Sequence, residues 1–89
     1  MISLKSKLTQ SVLRYYFLNP ATEMYINEIA RQLSLDVGNL DRKLKEFEKE
    51  GLFESIMRGN QRYYRLNKKS TLYNVYNELV KKTFAFATS

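Results

Sequence analysis

The sequence contains neither cysteine nor histidine, and this absence excludes several classes of protein. Without cysteine the chain forms no disulfide bond and has no thiol nucleophile. Without histidine it lacks the side chain most often used for acid–base catalysis near neutral pH. Thiolate and imidazole are also the ligands on which zinc and other soft-metal sites depend, so we expect no metal site.

Long hydrophobic runs and glycine-rich stretches are absent as well. No segment approaches the roughly 20 apolar residues of a membrane span, and residues 1–7 lack the apolar core of a signal peptide. We therefore expect a cytoplasmic protein with no membrane partner. The three glycines, Gly38, Gly51 and Gly59, are isolated and form no phosphate-binding loop. The sequence thus gives almost no support to an enzyme, and we expect neither catalytic residues nor a cofactor.

Positive charge is concentrated in one part of the chain. The net charge is +6 over 89 residues, and segment 42–69 contributes +5 of it, with nine lysines or arginines against four glutamates. Such a cluster favours an anionic partner, and the alternative is a solvated face on a basic protein. The length predicts one domain, 1–89, whose small core would be stabilised by dimer formation.

Segment 26–50 has the pattern of two short helices joined by a turn. Apolar residues recur at helical spacing in each half: Ile26, Ile29, Ala30 and Leu33, then Val37, Leu40, Leu44 and Phe47. Asp36 suits the N-cap of the second helix, and Gly51 suits the left-handed position after its end. Two helices packed by their apolar faces leave the polar face of helix 37–50 free to enter a DNA major groove.

Segment 52–66 follows with the pattern of a hairpin that turns at Gly59-Asn60. We expect Tyr64 and Leu66 to face the core, while the faces of residues 53–58 stay open because apolar and polar residues occur in both rows. The order of elements predicts an α+β winged helix-turn-helix fold. It has three helices, a two-stranded β-hairpin wing and a C-terminal helix.

Helices are predicted at both ends, over 1–18, starting near Ser3, and over 70–84. The first is apolar on more than one side and stops at Asn19-Pro20. The last has two adjacent apolar rows: Leu72, Val75, Leu79 and Thr83, then Tyr73, Tyr76, Val80 and Phe84. One row covers a small core, so we expect a homodimer through the first and last helices. The alternative is that the second row packs on the first helix of the same subunit or against a further domain.

Two stretches carry a resemblance to known families. Residues 33–52, LSLDVGNLDRKLKEFEKEGL, resemble the turn and recognition helix of ArsR/MarR-type winged-helix regulators, and RGNQRYYRL at 58–66 is similar to their wing. This resemblance implies a regulator of transcription that binds double-stranded DNA.

A narrower resemblance covers nearly the whole chain. It rests on Leu18-Asn19-Pro20 and on LVKKTF at 79–84, which resemble winged-helix domains found ahead of small nucleotidyltransferase domains. Nothing here resembles the Gly-Ser and paired-Asp active site of that second domain. The alternative function is therefore a protein-interaction or targeting module associated with a nucleotidyltransferase partner.

The predicted DNA contacts lie on helix 37–50 and on wing 58–62. On the helix, Asn39 and Arg42 are expected at base edges, since asparagine suits adenine and arginine suits guanine. Lys43, Lys45 and Lys49 are expected at phosphates.

Asp41 has two candidate roles: it accepts from a cytosine amino group, or it pairs with Lys45 four residues on. The pairing within the helix is favoured. The wing residues predicted to contact a minor groove or its phosphates are Arg58, Asn60, Gln61 and Arg62. For all of these residues the alternative is a solvated charged surface, which on the wing discourages aggregation of sheet edges.

Overall fold

The computed structural model describes the backbone of residues 6–88 and the side chains of residues 6–82. The predicted start near Ser3 and the side chains of Thr83 and Phe84 lie outside this part. The elements in chain order are α1 (Lys7–Leu18), β1 (Met24–Tyr25), α2 (Ile26–Leu33), α3 (Val37–Lys49), β2 (Phe53–Arg58), β3 (Gln61–Leu66) and α4 (Leu72–Thr88). The predicted α+β winged helix-turn-helix class is confirmed. None of the helices within the described residues is long and apolar enough to cross a membrane.

The sheet has one strand more than the predicted hairpin. All neighbours are antiparallel, in the order β1-β3-β2, so the second strand of the hairpin is central. β1 pairs with β3 through two residues only, Met24 opposite Tyr64 and Tyr25 opposite Tyr63. A strand this short shows no alternation in sequence, and its partner lies some forty residues away along the chain.

Local chemistry sets the ends of the central helices and the wing turn. The predicted N-cap is confirmed, because Asp36 Oδ2 accepts the backbone N–H of Asn39 at 2.9 Å. Gly51 follows α3 with φ +85°, the predicted left-handed position. Gly59 has φ +62° at the first position of the two-residue turn, where a type II′ hairpin needs glycine. Ser34 also adopts a left-handed φ, +55°, at the end of α2, which the sequence did not indicate.

Aromatic rings join the helices to the sheet in the core. The ring of Tyr16 on α1 meets Phe53 edge-on at 4.7 Å between centroids, and Phe47 on α3 contacts the same ring at 5.3 Å. Tyr64 and Leu66 of β3 are each only 3% exposed, which confirms their predicted orientation. The core therefore lies between the four helices and one face of the sheet.

The two apolar rows of α4 differ in exposure. Tyr76 and Val80 are buried, and the ring of Tyr73 contacts Phe17 of α1 at 5.3 Å between centroids. The described residues of this row pack inside the same subunit, with Tyr73 on the first helix, as the alternative interpretation held. Val75 and Leu79 of the other row are 52% and 41% exposed. The extra apolar residues of α1 are likewise covered within the chain, with the exception of Leu18 at its end.

A buried hydrogen bond links α1 to the central strand and carries a stability prediction. The hydroxyl of Tyr16 donates to the backbone oxygen of Tyr64 at 2.9 Å. Tyr16→Phe leaves that oxygen without this donor, so we expect the free energy of unfolding to fall by about 1 kcal/mol. Urea denaturation measures it, with Tyr73→Phe as the matched control that keeps its ring contact.

The same hydroxyl carries a pH dependence. Burial raises the pKa of Tyr16 above its ordinary value, which is about 10. Above that pH the unfolded chain releases this proton while the folded chain retains it. The contribution of Tyr16 to stability therefore falls by up to about 1.4 kcal/mol per pH unit. Tyr16→Phe should flatten the alkaline decline of stability, and identical declines in both proteins would contradict this account.

Candidate nucleic-acid interface

Basic side chains, with partly exposed acidic ones among them, lie on the side of α3 that faces away from the core. The opposite side is anchored by three buried residues, Leu40, Leu44 and Phe47. Arg42, Lys45 and Lys49, spaced by three and four residues, follow one another along the exposed side. This arrangement leaves three positive groups in one row on the helix predicted to enter the major groove.

Two of the α3 lysines have carboxylate partners on the same helix. The Nζ of Lys45 lies 2.9 Å from Asp41 Oδ2, which confirms the predicted pairing, and this hydrogen bond raises the pKa of Lys45. The Nζ of Lys43 lies 3.5 Å from Glu46 Oε2. Exposed pairs of this kind contribute little to stability. Phosphate oxygens are therefore able to replace the carboxylates as partners of both lysines.

Asn39 and Arg42 form a pair rather than two separate groups. Nη2 of Arg42 donates to Oδ1 of Asn39 at 2.6 Å, and both side chains are exposed. The spacing of three residues along a helix permits this contact. Among the side chains of residues 6–82, Arg42 forms no ion pair with a glutamate.

The wing is held beside α3 by two contacts at the start of β2. Ser55 Oγ donates to Glu48 Oε2 at 2.6 Å, and the rings of Phe47 and Phe53 contact each other. One contact is polar and the other apolar, and both join the last turns of α3 to the first half of β2. The position of the wing relative to α3 follows from these contacts.

The strand register places the two wing arginines on opposite faces of the sheet. Arg62 lies in the same row of β3 as the buried Tyr64 and Leu66, on the side that carries α3. Its cross-strand partner in that row is Met57. Arg58 belongs to the other row of β2, on the outer face. Sequence reasoning had treated the two arginines as equivalent.

Arg58 is engaged by an acidic group on the outer face. Its guanidinium hydrogen-bonds to Glu23 Oε1 and lies over the ring of Tyr63, 5.2 Å from the centroid. Arg65 donates to Glu54 at 2.6 Å and to Glu23 at 3.2 Å. The hydrogen bonds from Arg65 and then Arg58 lower the pKa of the Glu23 carboxyl. The carboxylate of Glu23 partly neutralises the charge of Arg58, which weakens the attraction of this arginine for a further anion.

Arg62 lies within electrostatic reach of Lys45 on α3. The positive charge of Arg62 acts on Lys45 and opposes the rise in the pKa of that lysine. Asn60 and Gln61 are exposed at the turn beside Arg62. The structure therefore brings Arg42, Lys45, Lys49 and Arg62 to one side of the molecule and leaves Arg58 on another face. We call these four residues the cationic surface.

Two exposed apolar residues belong to the same region and had no predicted contact role. Val37, in the first turn of α3, is 43% exposed, and Met57 on the wing is 60% exposed. Apolar side chains at such positions suit contacts with the methyl group of thymine or with base steps. Helical spacing alone had placed Val37 on the core side. No cluster of acidic residues suited to a metal ion occurs within the described part of the chain.

Comparison with known proteins shows the fold. No family model matches the sequence, and no curated protein matches it. The structure is similar to that of a possible transcriptional regulator from Methanosarcina mazei Go1, with a TM-score of 0.59 and 18% sequence identity. The alignment covers 96% of this chain and 75% of that protein. Identity at this level shows a shared fold, and the ArsR/MarR and nucleotidyltransferase resemblances stay predictions.

Proposed function

We propose that this protein is a DNA-binding transcription regulator that binds duplex DNA through the cationic surface. In this proposal α3 enters the major groove, and wing 58–62 contacts the adjacent backbone or minor groove. The proposal rests on one observation. Arg62 belongs to the sheet face that carries α3, so it lies on the same side of the molecule as the exposed basic residues of that helix. The description of the Methanosarcina protein as a possible transcriptional regulator agrees with it.

The residues divide by expected role. Arg42 and Asn39 face the bases, whereas Lys43, Lys45 and Lys49 bind phosphates, which set affinity but carry no sequence information. On the wing the proposed contacts are Arg62, Asn60, Gln61 and Arg58. Of these, Arg58 contributes less than Arg62, because Glu23 partly neutralises its charge.

The alternative, a module that binds only protein, predicts a different surface. A protein-binding recognition helix would expose apolar residues along its length, because interface cores are depleted in charged groups. On α3 the exposed side instead carries Arg42, Lys45 and Lys49, and Val37 is the exception in its first turn. The cationic surface thus favours DNA over the nucleotidyltransferase-associated module.

A charge reversal tests the DNA proposal. Lys49 is exposed and forms no ion pair within residues 6–82, so Lys49→Glu breaks no ion pair among these residues. We expect Lys49→Glu to weaken binding to a random-sequence duplex by about tenfold at moderate salt, because a phosphate contact becomes a repulsion. Fluorescence anisotropy of a labelled duplex measures it.

Lys81→Glu, the same charge change on the exposed side of α4, is the matched control and should alter affinity less than twofold, a limit of about 0.4 kcal/mol. Equal losses for Lys49→Glu and Lys81→Glu would show that net charge alone drives binding, and the α3 interface would be abandoned.

We further propose a homodimer in which the exposed row of α4 is the main contact. Val75 and Leu79 lie on one side of α4, and Leu18, 59% exposed, ends the neighbouring helix α1. Burial of this row against a second copy removes apolar surface from water. A two-fold pairing would then present two α3 helices to a palindromic site with half-sites about 34 Å apart.

A further inference from the structure

We propose that Asn39 is a positioning residue that holds Arg42 for guanine, and that Asn39 does not itself read adenine. The inference rests on the proposed function, because it concerns bases in a duplex bound by α3. It replaces two independent base contacts with one reading unit, the Asn39–Arg42 pair. Its basis is the 2.6 Å hydrogen bond between the two side chains.

A hydrogen bond to the N-cap residue of α3 holds the backbone of Asn39 in place. Asp36 caps α3 and accepts the backbone N–H of Asn39 at 2.9 Å. Asn39 is thereby held in the first turn of the helix, where recognition helices contact bases. The side chain of Arg42 starts one turn later, on the same side of α3. Asp36 therefore holds the backbone of Asn39, and the side chain of Asn39 contacts Arg42 on the exposed side of α3.

The hydrogen bond uses the atom of Asn39 that adenine recognition needs. An asparagine that reads adenine accepts from the N6 amino group through Oδ1 and donates to N7 through Nδ2. Here Oδ1 already accepts from Arg42. Because Oδ1 has two lone pairs, adenine would have to share this oxygen with Arg42, in the amide orientation that the bond to Arg42 sets.

Arg42 keeps enough donors for guanine after this contact. A guanidinium has five N–H groups, and the contact with Asn39 uses one of them. The remaining donors are sufficient for the two-bond fork to O6 and N7 of guanine. A long arginine side chain loses rotamer freedom when it binds, and the bond to Asn39 removes part of that loss in advance.

An amide has an advantage over a carboxylate at this position. A carboxylate that held Arg42 would cancel its charge and repel the phosphates nearby. Glu46, one turn beyond Arg42, is instead paired with Lys43 at 3.5 Å. The uncharged Asn39 orients the guanidinium and leaves its full positive charge available to DNA.

The test is a double-mutant cycle on a duplex selected from a random-sequence library with the wild-type protein. Affinities are measured for that duplex and for the version in which the preferred guanine is replaced by adenine. We expect the wild type to prefer guanine by about 10–100-fold, and Asn39→Ala to reduce this preference about threefold to tenfold. In the Arg42→Ala background, Asn39→Ala should change the preference no further.

Asn39→Asp is the conservative variant, since it keeps an acceptor for Arg42. It should retain the guanine preference while it lowers affinity for every duplex, because it adds a negative charge near phosphates. An asparagine with a merely structural role would not be rescued in this way. Thermal unfolding of all variants checks that the fold is intact.

Three results would overturn the proposal. Additive effects of Asn39→Ala and Arg42→Ala on guanine preference would show that the residues act separately. If Asn39→Ala removed a preference for adenine at another base pair, this result would show that Asn39 reads adenine directly. If the wild type bound every duplex with equal affinity, there would be no guanine preference for the Asn39–Arg42 pair to produce. By contrast, a wild type that binds no duplex would overturn the proposed function itself.

Discussion

Arg42→Ala is expected to lower affinity for a selected duplex by about 10–100-fold and to lower affinity for a scrambled duplex much less. Arg62→Ala is expected to lower affinity for both duplexes alike, by about threefold to tenfold. The difference follows from position: Arg42 extends from the recognition helix toward base edges, whereas Arg62 extends from the wing toward phosphates or the minor-groove surface.

Each unlabelled duplex is made to compete with one labelled duplex for the protein, and this competition gives the affinity of each variant for both sequences. Arg58→Ala is the informative comparison, because its guanidinium is held by Glu23 on the outer face. It should weaken binding less than Arg62→Ala does. Equal losses on both duplexes for Arg42→Ala would show that this residue contacts only the backbone.

Leu79→Glu is expected to convert a homodimer into a monomer at tens of micromolar protein. The side chain is 41% exposed on the free row of α4, so the substitution places a charge in the proposed interface without disturbing the core. An unpaired buried charge costs several kcal/mol, enough to abolish a small interface. Sedimentation equilibrium measures the change.

The matched control for Leu79→Glu is Asn74→Glu, which adds the same charge on another exposed side of α4. This control should remain dimeric. Tyr76→Glu and Val80→Glu are unsuitable tests, since both residues are buried in the core and their replacement would unfold the chain. A wild type that is monomeric at these concentrations would remove the dimer from the account.

The parts of the fold that the sequence predicted are those set by neighbours along the chain. Asp36, Gly51 and Gly59 each act within a few residues, so their types alone indicated a cap, a helix end and a turn. The left-handed conformation of Ser34 was not predicted, because serine has no preference for positive φ. Strand β1 was not predicted either, because its two residues form a strand only through their pairing with β3.

The arrangement of the candidate site depended on contacts that local patterns do not contain. The faces of β2 stayed open in the sequence, since Ser55 and Met57 alternate with Glu54 and Ile56 without a clear apolar row. Pairing with β3 resolved them and separated Arg58 from Arg62. The engagement of Arg58 by Glu23 joins residues 35 positions apart, and helical spacing alone permitted but did not require the Asn39–Arg42 bond.

The salt dependence of duplex binding tests the central claim most directly. If a dimer neutralises roughly six phosphates through its cationic surfaces, log K should fall against log salt with a slope near −5. Affinity for a random-sequence duplex would then drop by about 10³-fold between 50 and 200 mM salt. A titration by anisotropy at these two concentrations gives the slope. A flat response, or no binding at the lower concentration, would contradict the proposal that this protein binds DNA.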